Sequence, residues 1–233
     1  MPITIRRGTA ADIPAISSIY LSAFGPQTIM DMLHPRRAQY PEDMTLYANR
    51  LFHARYWGDE EQILLVAVDS SSSSIKGFAW FRRPWADSQA RAAHEGSFTL
   101  RAWIKPLVNL RRQVEEYIWP VRCSDPSAAD IFSEMHDSVE ATLEAEDPNP
   151  PRRKEAWYLS TLGVDPETQG RGIGGLLVRS ALKDVIDVEG AACWLVGLKD
   201  VEPFYEKFGF VQIGRANQGR LADWDGGSIM MRE

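Results

Sequence analysis

Gln169-Gly170-Arg171-Gly172-Ile173-Gly174-Gly175, in one-letter code QGRGIGG, is the stretch on which the reading of this chain turns. Gly170, Gly172 and Gly175 spell G-x-G-x-x-G, the pattern of a dinucleotide-binding turn. Such a turn follows its strand almost directly and is answered by a carboxylate at the end of the next strand, about 20 residues on. Here the five residues DPETQ separate Val164 from Gly170, and the next apolar run, ACWLVGL, meets no carboxylate until Asp200. A nucleotide P-loop fails because no Gly-Lys-Ser/Thr follows. What remains is the physics common to such loops: glycine amides without Cβ obstruction, opening a helix whose positive end attracts phosphate. The residues point to capture of a pyrophosphate.

Outward from the loop, the last third alternates strand and helix. EAWYLSTLGV reads as a strand, GIGGLLVRSALKDVID as a helix, ACWLVGL as a strand, DVEPFYEKF as a short helix, and GFVQIG and SIMMR as strands. Toward the amino end, ITIRRG reads as a strand and AADIPAISSIYLSAF as a helix capped by Thr9, with Pro14 acceptable near its start. EDMTLYANRLFHARYW reads as a second helix with Met44, Tyr47, Leu51 and Tyr56 on one face. QILLVAVD and IKGFAWFRR, joined by Ser70 to Ser74, read as an antiparallel hairpin. Strands separated by helices imply an α/β layered domain with a central mixed sheet, its chemistry at the strand ends that face the glycine loop.

Between these two parts, residues 84–153 carry helical spacing in LVNLRRQVEEYIW and AADIFSEMHDSVEATLEA, with Pro106, Pro120 and Pro126 as breaks. A segment this long is no ordinary hairpin-to-strand loop, so a helical insertion within one domain, 1–233, is expected. Its aromatics Trp85, Trp103, Tyr117 and Trp119 are candidates for an apolar pocket wall.

The chain has 26 basic and 32 acidic residues, a net charge of −6, which argues against a general electrostatic grip on nucleic acid. No run approaches the about 20 apolar residues that span a bilayer, and the amino terminus lacks a signal-peptide core. The two cysteines, Cys123 and Cys193, form neither a disulfide framework nor a zinc pattern. A cytoplasmic protein without metal, membrane or nucleic-acid partner is expected, as monomer or homodimer.

The loop together with EPFYEKFGFVQIG some thirty residues later resembles the GCN5-related N-acetyltransferase (GNAT) family. That family carries Gln/Arg-x-x-Gly-x-Gly/Ala after its fourth strand, matched by Gln169 to Gly174, and later a Phe/Leu-Tyr-x-x-x-Gly-Phe turn. The resemblance covers nearly all the chain outside 84–153. It implies a mixed, mostly antiparallel sheet flanked by helices, with the insertion between the third and fourth strands. It also implies acetyl-coenzyme A as cosubstrate, no metal, and an acetyltransferase acting on the amine of a small molecule by direct attack in a ternary complex.

Carried over residue by residue, the resemblance has main-chain groups of Leu162, Gly163 and Val164 pair with the pantetheine arm. Amides of Gln169, Gly170, Arg171, Gly172, Ile173 and Gly174 hold the pyrophosphate. The Leu162 N–H polarises the thioester carbonyl and Tyr205 protonates the departing thiolate, while Phe204, Phe208 and Phe210 read as core aromatics. The base departs from the family pattern: Tyr158 stands at the usual glutamate position and Ser160 where some relatives carry histidine. Either a water relay removes the amine proton or a carboxylate such as Glu155, or one from the insertion, does so. The frequent Asn-x-x-Ala before the tyrosine is Leu198 and Val201 here. His34, His53, His94 and His136 lie outside the shared motifs and read as surface or core residues. A non-catalytic acyl-coenzyme A sensor, and acetylation of a protein or peptide amine, are the competing readings.

Overall fold

A computed structural model describes residues 2–58, 62–83, 100–124, 135, 139–143, 153 and 155–233. From the amino end it runs β1 (Ile3–Arg7), α1 (Ile13–Phe24), α2 (Thr28–Leu33), α3 (Asp43–Gly58), β2 (Gln62–Asp69), β3 (Ile75–Arg82) and α4 (Leu100–Ile118). It continues with β4 (Trp157–Val164), α5 (Ile173–Ala181), β5 (Cys193–Gly197), α6 (Glu202–Glu206), β6 (Val211–Arg215) and β7 (Ser228–Arg232). The strands form one seven-stranded sheet in the order β1-β2-β3-β4-β5-β7-β6. Among the described strands only the β4–β5 pair is parallel. This is the mixed, mostly antiparallel α/β fold that the sequence implies.

Both faces of the central hairpin are covered, so β2 and β3 read as near-continuous apolar runs rather than alternating ones. Ile63, Leu65 and Ala67 turn to the side of α5 and pack with Phe81 and Leu177. Leu64 and Val66 turn to the side of α1 and α3 and pack with Ile16, Phe52 and Trp80. The Phe52 ring stacks on Trp80 at 5.4 Å and meets Phe78 edge-on at 5.5 Å.

Local chemistry explains the element ends. Asp12 accepts hydrogen bonds from the Thr9 N–H and Oγ1 at 2.8 and 3.0 Å and from both Arg6 guanidinium nitrogens at 2.8 Å. Thr9 therefore starts the helical region as expected, with Asp12 as the acceptor, and the Arg6 guanidinium holds the Asp12 carboxyl down to about 2. A short 3₁₀ turn, Ala10–Asp12, precedes α1.

On α3, Met44, Tyr47 and Tyr56 pack against one core cluster around the fully buried Ala48 and Phe52, as a shared face requires. Two expectations need correction. Pro106 does not break the insertion but sits inside α4, beyond the first turn in which a missing N–H costs no helical hydrogen bond. The helix that follows the glycine loop is not continuous α: a π turn, Leu182–Ile186, interrupts it before Asp187–Glu189. The rest of the 84–153 expectation lies largely outside the described residues; within it α4 and the helical stretch 139–143 are seen.

Candidate active site

The site is made by a failure of pairing in the middle of the sheet. β5 pairs with β4 only at Trp157–Cys193 and Tyr158–Trp194, and beyond them the two strands part. On its other edge β4 stays on β3, with Ser160 bulged out between the Thr161–Trp80 and Leu159–Phe81 pairs. The Ser160 hydroxyl donates to the Trp80 carbonyl at 3.0 Å, which anchors the bulge.

Register fixes where the free backbone groups point. Asp165 N–H donates to the Lys76 carbonyl at 3.0 Å, so by antiparallel alternation Gly163 and Thr161 also turn their polar groups to β3. Leu162 and Val164 then turn theirs into the gap toward β5. The Val164 carbonyl confirms the alternation by accepting from the Gln169 side chain at 3.1 Å on that side. Of the three residues Leu162, Gly163 and Val164, the first and third face the gap. Gly163 answers a different need, since a Cβ there would lie 2.7 Å from the Phe78 ring.

The glycine loop closes the near end of the gap. Asp165 shapes the approach: its carboxylate accepts from Glu167 N–H at 3.1 Å and pairs with Lys76 at 3.0 Å, and its carbonyl accepts from Thr168 N–H. Gly170 and Gly172 hold left-handed φ of 74° and 81°, and a Cβ on either would meet open space. Their conformation, not crowding, demands glycine. Gly172 caps α5, so the first amides of that helix, from Ile173 onward, open at the loop. Arg171 is exposed beside them.

Tyr205 on α6 is 9% exposed in the wall of the gap, edge-on to Phe204 at 4.9 Å and to Phe210 at 5.8 Å. Burial, with Cys193 and Tyr158 nearby, raises its phenol well above the ordinary value, so it stays protonated. Phe210 is core, as expected. Phe204 and Phe208 are not: both are half-buried wall residues that stand over Gly174 and Gly175, each about 3.5 Å from where a Cβ would lie.

These parts line one cavity of about 820 Å³ that runs from the loop, past β4, to α1, α2 and α3. Tyr158 lines it and stacks on Trp194 at 4.0 Å, and Ser160, Thr161 and Leu162 lie along its middle. The far end is walled by Tyr20, Phe24, Met30, Tyr47, Arg55 and Trp224. Among the described residues no aspartate, glutamate or histidine lines it, and Glu155 is exposed outside it. Of the insertion aromatics, Tyr117 at 89% and Trp119 at 60% exposure do not supply the wall, and Trp85 and the side chain of Trp103 lie outside the described residues.

Sequence reasoning missed Arg55 and Trp224. A signal for the first existed, because Arg55 follows Ala48 and Phe52 at helical spacing and so brings a cation to the buried face of α3. Trp224 comes from the loop before β7 and offers no such periodicity.

Of the histidines, His53 is exposed, His94 and His136 lie outside the described residues, and His34 is core. His34 is 1% exposed, meets the Ser124 hydroxyl at 2.7 Å and the Tyr47 ring at 4.2 Å, and burial lowers it from 6.5 to about 4. Below pH 6.5 the unfolded chain takes up a proton that folded His34 refuses. The contribution of His34 to stability is therefore level above pH 6.5 and falls by on the order of 3 kcal/mol toward pH 4. Urea midpoints across that range check this; His34→Gln is expected to make the slope shallower by that amount.

Residues 139–212 match the acetyltransferase (GNAT) domain model. No curated protein sequence matches at a significant level. Among solved structures, one of a histone acetyltransferase HPA2 and related acetyltransferase from Corynebacterium glutamicum shares the fold at TM-score 0.59 and 17% identity, covering 100% of this chain and 96% of that one. A mosquito arylalkylamine N-acetyltransferase like 5b gives 0.51 and 12%, covering 99% and 98%. The Drosophila melanogaster polyamine N-acetyltransferase, which forms N-acetylagmatine, gives 0.50 and 15%, also covering 99% and 98%. Residues 139–212 thus match a GNAT acetyltransferase domain, and the fold of the chain is shared with solved acetyltransferase structures.

Proposed function

We propose that the protein transfers an acetyl group from acetyl-coenzyme A to the amine of a small molecule, by direct attack within a ternary complex. The observation that carries this reading is the gap between β4 and β5, with a left-handed glycine turn at one end, Tyr205 on its wall, and main-chain groups of Leu162 and Val164 facing in. The amides from Gln169 to Gly174 would take the pyrophosphate, aided by the exposed cations Arg179 and Lys207 at the same end. The pantetheine arm would run along β4 as a strand-like partner of Leu162 and Val164, in the place β5 vacates.

In the reaction the neutral amine nitrogen attacks the thioester carbonyl carbon, and the carbonyl oxygen takes a hydrogen bond from the Leu162 N–H as it gains charge. The carbon–sulfur bond then breaks, the pair leaves on sulfur, and the Tyr205 hydroxyl supplies the proton. With no carboxylate or histidine among the described lining residues, the nitrogen's proton passes to solvent water along the polar middle of the cavity, where the Ser160 and Tyr158 hydroxyls lie, and the Tyr205 phenolate regains a proton from solvent to close the cycle.

Calorimetry with acetyl-coenzyme A and with NADH tests the cofactor, and thiol release against a panel of small primary amines tests the transfer. Micromolar binding of acetyl-coenzyme A, none of NADH, and acceptor-dependent thiol release are expected. Binding without release for any amine favours the sensor reading; preference for NADH sinks the proposal.

A further inference from the structure

Among the described residues the far end of the cavity holds one cation, in an aromatic and apolar wall. Arg55 reaches inward from α3 and donates to the Thr161 hydroxyl at 2.9 Å, with its guanidinium 5.6 Å from the Phe52 ring centre. Among the described residues no carboxylate pairs with it. Its neighbours are the tyrosines Tyr20, Tyr47 and Tyr158, and burial together with the like charge of Arg82 lowers its affinity for its own proton. A half-buried guanidinium with one neutral acceptor is costly to keep, and an anion seated against it would relieve that cost.

Resting on the acetyl-transfer reading, we infer that the acceptor is a primary amine that also bears a carboxylate and an apolar or aromatic body, as an apolar α-amino acid does. The carboxylate pairs with Arg55, and the body lies among Tyr20, Phe24, Met30 and Trp224. Arg55 is bonded to Thr161, the residue just before Leu162, so the anion is held one residue from the amide that would face the thioester. That spacing suits an amine and a carboxylate only a few bonds apart. A polyamine finds no anion among the described residues of this wall and meets a cation instead.

The test compares matched acceptors: phenylalanine with phenethylamine, tryptophan with tryptamine, and spermidine. Wild-type protein is expected to prefer each acid over its decarboxylated amine. Arg55→Gln is expected to raise KM for the acids about tenfold or more with kcat little changed, to leave the plain amines within about twofold, and Arg55→Lys to recover part of the loss. A preference for phenethylamine or spermidine, or an Arg55→Gln effect equal on acids and amines, overturns the inference and leaves acetyl transfer standing. If no acceptor turns over, phenylalanine binding to the coenzyme A-loaded protein decides: loss of that binding in Arg55→Gln supports the inference and no binding by wild type overturns it. Failure of coenzyme A itself to bind removes the underlying reading instead.

Discussion

Tyr205→Phe is expected to lower kcat by about a hundredfold or more while acetyl-coenzyme A binds within about twofold of its original affinity. The phenylalanine ring keeps the edge-on contacts to Phe204 and Phe210, so the wall and the fold stay as they are. What goes is one buried O–H, whose burial raises the phenol above its ordinary value and so keeps it protonated at neutral pH. A thiolate leaving without that proton is a poor leaving group, and the loss should fall on kcat rather than on KM for the cofactor. The variant's thermal midpoint should match the parent's. A Tyr205→Phe protein with undiminished turnover would mean that the sulfur takes its proton from elsewhere.

At the other end of the gap, Gly172→Val is expected to weaken acetyl-coenzyme A at least tenfold. Gly172 sits at φ 81° as the cap of α5, a conformation that costs an ordinary residue about 1–2 kcal/mol and a β-branched one more. Because its Cβ would project into open space, the free protein meets no clash, and the midpoint should drop by only about 4 °C. That same open space is where a pyrophosphate would approach the amides, so the valine methyls obstruct the ligand rather than the fold. Gly174→Ala separates the two effects. Position 174 is helical and its Cβ would meet the Phe204 ring at an ordinary 3.5 Å, so alanine there should leave stability level or slightly raised and weaken binding less. Calorimetric Kd values and melting curves for the three proteins give the answer, and an unchanged Kd for Gly172→Val would remove the loop from the cofactor site.

Much of this was legible in the chain because it is local. The glycines of QGRGIGG mark a loop that opens a helix, and the structure has Gly170 and Gly172 at left-handed φ there, with α5 starting at Ile173. Apolar runs between turn residues mark β2, β3, β5 and β7, and the position of Tyr205 on its short helix follows from PFYEKFGF. Burial patterns were less legible. Tyr117 and Trp119 look like pocket residues in the sequence and are exposed, because aromatic content says nothing about which face of a helix finds a partner.

The sequence by itself determined that strands and helices alternate, that a glycine turn opens a helix after the fourth strand, and that a tyrosine lies in the turn beyond. Only the tertiary structure decided that β7 inserts between β5 and β6, that β5 leaves β4 after two residue pairs, and that Ser160 bulges so that Leu162 and Val164 face the gap. It also decided that Arg55, more than a hundred residues before Leu162, comes to the side of the residue that precedes it. The reason is physical: turns, caps and periodicities are set by neighbours in the chain, whereas pairing register and the neutralisation of a buried charge depend on which distant segments meet.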